Sequence, residues 1–159
     1  MAARKPKKTV RANKKSPARA KAAPRRPGTA TRSLALSDAS PSFTVNDLEK
    51  SLAWYRDVLG FAVEETWKDA GKVVGVSLRA GDVSLMIGQD DWKKGRDRKK
   101  GEGFRIFCMT KKNVDDLAER IEARGGRLDQ GPTDQPWGVR DISLTDPDGF
   151  KITIAAAKR

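Results

Sequence analysis

The stretch Trp137 to Ala155, WGVRDISLTDPDGFKITIA, constrains the fold more than any other part of the chain. Val139–Thr145 and Phe150–Ala155 are β-rich runs with apolar residues at every second position, and Asp146-Pro147-Asp148-Gly149 lies between them. Proline presets φ at the first corner of a turn, and glycine supplies the positive φ that the reversal needs. Period-two alternation turns one side-chain row toward a core and the other away from it. The chain therefore ends in a hairpin with one buried face.

The same logic places the earlier elements. Ser40–Val45 (SPSFTV) sets Ser40, Ser42 and Thr44 on one face and Phe43 and Val45 on the other, a half-buried strand. Asn46 is the expected N-cap of a helix from Asp47 to about Leu59, with Leu48, Leu52, Tyr55 and Leu59 at helical spacing and Gly60 as its stop. Three strands are expected next: Ala62–Trp67, Val73–Arg79 and Val83–Gly88. Residues 90–103, DDWKKGRDRKKGEG, carry six basic residues, four acids and three glycines, which predicts a solvated linker. The pattern then recurs. Phe104–Thr110 reads as a strand, Asn113 as an N-cap with Asp116 in the first turn, and Val114, Leu117, Ala118 and Ile121 as one helix face ending at Gly125-Gly126. Arg127–Gln130 is a short strand candidate, and the opening hairpin completes the set. The fold class is α+β: two βαβββ modules, 34–89 and 104–157, forming a cupped mixed sheet behind a disordered tail, residues 1–33.

Two strings about ninety residues apart carry a resemblance. Val45-Asn46-Asp47-Leu48 through Trp54-Tyr55, with Leu59-Gly60-Phe61 beyond, is similar to the first helix of the vicinal oxygen chelate superfamily of glyoxalases, extradiol dioxygenases and bleomycin-resistance proteins. Gln135-Pro136-Trp137-Gly138-Val139-Arg140, followed by Asp146-Pro147-Asp148-Gly149-Phe150, resembles its last hairpin, most closely in the bleomycin-resistance branch. The resemblance implies paired modules that enclose a cup, within one chain or between two, and in that branch a homodimer. In metal-using relatives four side chains, usually His and Glu, hold the ion. Here the first-strand position falls on Ser40 and the final-strand position on Thr153, with looser matches near Gly88 or Gln89 and near Phe104 or Ile106.

Composition sharpens this departure. The chain has no histidine, which excludes Ser-His and Cys-His nucleophile pairs, imidazole bases and every His-containing metal site. Hydroxyls are poor ligands for Zn²⁺, Fe²⁺ or Ni²⁺ beside imidazole or carboxylate. No cofactor is expected. One cysteine, Cys108 in an apolar strand-like run, reads as a buried structural thiol and fits a reducing cytoplasm. No apolar run approaches membrane-spanning length, so no membrane partner is expected.

The formal charge of +12 is a property of one end. Residues 1–32 hold twelve cations and no acid, leaving 33 − 12 = 21 basic residues against all 21 acids in the remainder. A segment of Ala, Pro, Lys and Arg has little to bury and is expected to be disordered. Lys7, Lys8, Arg11, Lys14, Lys15, Arg19, Lys21, Arg25 and Arg26 are its candidate contacts to nucleic acid or another polyanion, through phosphates and without sequence reading. A transit peptide or a solubilising extension are the competing readings of the same residues.

Strand parity within the implied cup points to a lining of Ser40, Ser42, Thr44, Ser84, Met86, Lys151 and Thr153. Trp67, Trp92 and Trp137 are candidates to close over a flat ligand, with Arg140 and Arg79 as anion or hydrogen-bond partners. Three functions remain open. One is a metal-free module sequestering a small molecule. Another is a superfamily enzyme, lyase or dioxygenase-like, that works without a metal or with an unusual carboxylate site using Asp141 or Asp148. The third is a nucleic-acid-associated protein anchored by its tail.

Overall fold

A computed structural model describes residues 38–158 of the 159-residue chain; the candidate nucleic-acid contacts of the tail lie outside that span. The first module runs β1 (Ser42–Val45), α1 (Leu48–Ala53), β2 (Ala62–Asp69), β3 (Lys72–Ala80) and β4 (Val83–Gln89). The second runs β5 (Arg105–Met109), α2 (Val114–Ala123), β6 (Leu128–Asp134), β7 (Val139–Thr145) and β8 (Lys151–Ala157). Each βαβββ module makes a four-stranded mixed sheet, ordered β1-β4-β3-β2 and β5-β8-β7-β6. In both, the strand before the helix pairs parallel with the last strand, and the other pairs are antiparallel. The internal repeat is thus repeated in topology, strand for strand.

One core serves both modules. Phe43, Val45, Val76, Leu78, Leu85 and Ile87 supply the inward row of the first sheet, and Ile142, Leu144 and Ile152 that of the second. Leu48 and Tyr55 come from the first helical segment, and Val114, Ala118 and Ile121 from α2. Each fully buried Leu, Ile or Val contributes about 1.5–3 kcal/mol. Phe43 stacks on Phe150 at 4.4 Å between ring centroids, which ties β1 to the start of β8.

Three local readings are corrected. The cap of α1 is Asp47, whose side chain accepts the Lys50 N–H; Asn46 instead donates its own N–H to Asp148 at 2.8 Å. The helix expected to reach Leu59 is α-helical only to Ala53, and Trp54–Val58 continue as π-helical turns in which Leu59 N–H reaches back to the Trp54 carbonyl. The short strand at Arg127–Gln130 extends to Asp134, with register shifts around Gly131-Pro132 that leave ladder positions unpaired. No helix among the described residues is long and apolar enough to cross a membrane.

Candidate functional site

The first sheet's open face is built from hydroxyls. Ser42 pairs with Met86 and Thr44 with Gly88 across β1 and β4, while Ser77 faces Met86 and Arg79 faces Ser84 across β3 and β4. Because the alternate residues Phe43, Val45, Leu85 and Ile87 fill the core, these side chains turn the other way. Ser40 joins them through an Oγ–Oγ hydrogen bond of 2.7 Å to Ser84. Trp67 lies on the same face opposite Gly75, and a Cβ at Gly75 would sit 2.9 Å from its Cε3. The indole therefore crosses β3 where a side chain is missing. This face offers hydroxyls, one thioether and one indole plane.

The second sheet's open face is different. Arg105, Phe107 and Met109 alternate along β5 beside Lys151, Thr153 and Ala155 of β8. Phe107 is 51% and Met109 55% exposed. Arg105 Nη1 donates to Thr153 Oγ1 at 2.8 Å. The resemblance places the fifth-strand position near Phe104 or Ile106. Ile106 packs on the core and Phe104 meets the rings of Phe43 and Phe150; Thr153 has Phe107 as its register partner, and it is the side chain of Arg105, two residues before Phe107, that reaches it. These donors do not fit a divalent metal: Ser40 is bonded to another serine, Thr153 is bonded to a fixed cation, and no group of three His, Cys, Asp or Glu side chains among the described residues could hold an ion.

Not every candidate reaches an open face. Arg140 has the parity of Ile142 and Leu144, so it turns toward α2, where Asp115 takes it bidentately at 2.7 and 2.9 Å and Asp134 at 2.9 Å. That double hydrogen bonding raises its pKa further and anchors it to α2, away from the open faces of the two sheets. Arg79 is paired with Glu64. Trp92 does not stand free either: Arg96 lies 4.7 Å and Lys100 5.6 Å from its ring centre. Trp137 sits in the Gln135–Gly138 turn and is 66% exposed. Asp141 is buried and accepts from Gln135 Nε2, and Asp148 accepts from Asn46 N–H and Ser51 Oγ. Both carboxylates serve the fold. Ser42, Met86 and Lys151 do reach the open faces, on two different sheets, whereas Thr153 has the right parity but is only 4% exposed. Cys108 is half-buried with its thiol pKa raised by burial, consistent with an unreactive side chain.

The charged segment 90–103 carries an anchor that composition does not reveal. Asp90 is 3% exposed and accepts from Trp92 N–H, Arg98 and Lys100. Lys100 is itself 6% exposed. Lys100 above all, with the Trp92 N–H and Arg98, holds the Asp90 carboxyl down to about 2. Further along, an ideal Cβ on Gly101 would lie 2.1 Å from the Gly149 carbonyl oxygen, so the segment's backbone presses directly on the β7–β8 turn. A depressed folded-state pKa contributes stability above the unfolded value, lost as the pH falls from about 4 toward 2. Asp90→Asn should mimic that loss at neutral pH, with amide exchange of residues 91–103 rising about tenfold or more while β3 and β4 stay protected. Unchanged exchange in the segment would show that Asp90 does not anchor it.

Residues 39–154 match the Glyoxalase/Bleomycin resistance protein/Dioxygenase superfamily. A lactoylglutathione lyase of Salmonella typhimurium is 26% identical over 120 residues, covering 72% of this chain and 87% of that protein. Among solved structures, TioX from Micromonospora sp. ML1 superposes with a TM-score of 0.63 at 20% identity, over 76% of this chain and 98% of that one. TnmS3, an antibiotic binding protein from Streptomyces sp. CB03234, gives 0.62 at 24% identity, over 79% and 100%. These two likenesses concern the fold. With the repeated βαβββ topology and the family match across most of its length, the chain belongs to the glyoxalase/bleomycin resistance protein/dioxygenase superfamily.

Proposed function

We propose that this chain is a metal-free binding module that sequesters a small molecule against the open faces of its two sheets. One observation carries the reading: the Arg105 guanidinium donates to Thr153, at the position where metal-using relatives would require a ligand. A fixed cation there repels a divalent ion and favours an anionic or hydrogen-bonding ligand group. The antibiotic-binding neighbour supports a sequestering role, and the lyase relative supplies the competing one. Lyase chemistry through a bound metal finds no ligand set among the described residues, and Asp141 and Asp148 are both held by internal donors.

A homodimer belongs to the same proposal. Phe107 and Met109 leave apolar surface on the second sheet's open face, and the first sheet's face, with Trp67 and Met86, is a surface that a second copy would bring to it. A reduced, cytoplasmic setting fits the single half-buried cysteine. The purified 159-residue chain should scatter light as a dimer at micromolar concentration and carry no stoichiometric Zn, Fe, Ni or Mn. Its melting temperature should ignore chelator and rise in a small-molecule thermal-shift screen, by an amount equivalent to about 2.7 kcal/mol for a binder at 100-fold its Kd. One equivalent of metal, lost on chelation together with stability, would overturn the proposal.

A further inference from the structure

The unusual electrostatics of the second sheet lie at one end of its open face. Arg105 and Lys151 are direct register partners on adjacent parallel strands, so their backbones lie about 4.8 Å apart and two cationic side chains leave the sheet from neighbouring positions. Like charges directly opposite each other are ordinarily avoided because they destabilise a sheet. No carboxylate relieves this pair: neither residue forms an ion pair among the described residues. Asp129, near the far side of Lys151, accepts instead from Thr145.

The pair borders a recess of about 720 Å³ between the 98–105 segment and the β7–β8 turn. Arg98, Lys99 and Lys100 line its other wall, giving five cations against two acids, Glu102 and Asp148. Asp148 is already engaged by Asn46 and Ser51, and Arg98 and Lys100 by buried Asp90. Neutral donors leave Asp148 its charge, and Asp90 offsets only one of Arg98 and Lys100, so the five cations meet three carboxylates, Asp90, Glu102 and Asp148, and a net charge of +2 remains. The wall is positioned and not merely solvated: Asp90 holds it from one side, and the close approach of Gly101 to Gly149 holds it from the other. A recess of this volume can take the head of a small ligand.

We propose that this recess binds the phosphomonoester group of a small ligand, with Arg105 and Lys151 as its primary contacts and Lys99 at the rim. The inference rests on the small-ligand reading above and names its ligand class. A phosphomonoester carries a charge of roughly −1.5 to −2 at neutral pH and three acceptor oxygens, enough to neutralise two adjacent cations at once. Arg105 is already oriented by Thr153, so little side-chain freedom is lost when the anion arrives.

The test is calorimetric titration of the full chain with phenyl phosphate and with its singly charged analogue, phenyl sulfate. Wild type should bind the phosphate about tenfold more tightly than the sulfate. Each cation removed should cost roughly tenfold, so Lys151→Gln weakens phenyl phosphate about tenfold and Arg105→Gln/Lys151→Gln about a hundredfold, with the preference over sulfate abolished. Lys151 is exposed and outside the Thr153 hydrogen bond, so the single variant remains informative if the double variant is destabilised. Equal binding by all three chains would place the phosphate on the N-terminal cations, which they share, and overturn the assignment. So would equal affinity of wild type for phosphate and sulfate. Either result leaves the small-ligand reading standing, because that reading is judged by the thermal-shift screen and the metal content.

Discussion

Asp146→Ala should destabilise the domain by about 3–5 kcal/mol and lower its melting temperature by on the order of 10 °C. The carboxylate opens the β7–β8 turn and is 4% exposed. Its Oδ1 accepts from Asp148 N–H at 2.9 Å and Phe150 N–H at 2.8 Å, and its Oδ2 from the Tyr55 hydroxyl at 3.0 Å. Truncation leaves three donors without partners, one of them a fully buried phenol in the centre of the core. The turn also positions Asp148, which caps Asn46 and Ser51, so the damage extends to the α1 contact. Tyr55→Phe removes one hydrogen bond and should cost about 1 kcal/mol. Thermal and urea unfolding of both variants measure the difference. A loss below about 1 kcal/mol for Asp146→Ala would mean that water replaces the carboxylate and that the turn is not a hub.

Acid acts on Asp146 in the opposite sense to Asp90. Burial raises the Asp146 pKa, outweighing the hydrogen bonds that lower it. A raised carboxyl pKa contributes stability that is complete below the unfolded value and lost as the pH rises through the folded value. Between about pH 4 and pH 2, then, the Asp90 anchor is lost while the Asp146 hub is not. Partial acid loosening should therefore begin in the 91–103 segment, with the hairpin outlasting it.

The fold was legible because period two is a local property. Ser42, Thr44 and Phe43, or Ile152, Thr153 and Ile154, sort themselves onto faces whatever the rest of the chain does. The same rule, applied to β5, brings out Arg105, Phe107 and Met109; their row was obscured because the whole run FRIFCMT is apolar enough to resemble a fully buried strand. What could not be read was pairing at a distance. Arg140 and Asp115 are 25 residues apart, and Asp90 lies among so many charges that composition cannot single out the buried one. Trp92 illustrates the same limit: an indole in a charged loop reads as a free recognition surface until Arg96 and Lys100 are placed over it.

The 159-residue chain should bind duplex DNA with a steep salt dependence that vanishes on removal of the N-terminal cations. Twelve Lys and Arg lie within residues 1–32 and no acid lies among them, whereas residues 33–159 balance 21 cations against 21 acids. Each phosphate neutralised releases counterions and adds about −0.9 to the slope of log K against log salt. Engagement of about half the cations at once gives a slope near −5, or a loss of about a thousandfold in affinity between 50 and 200 mM salt. Sequence preference should be slight, because contacts from Lys and Arg to phosphates carry no sequence information. The comparison is between the full chain and residues 34–159, which retain every core residue from Phe43 to Ala155. Equal DNA retention by the shortened chain would move the contact to the basic wall at Arg98–Lys100. If neither chain binds in low salt, the N-terminal cations serve targeting or solubility and the nucleic-acid reading falls.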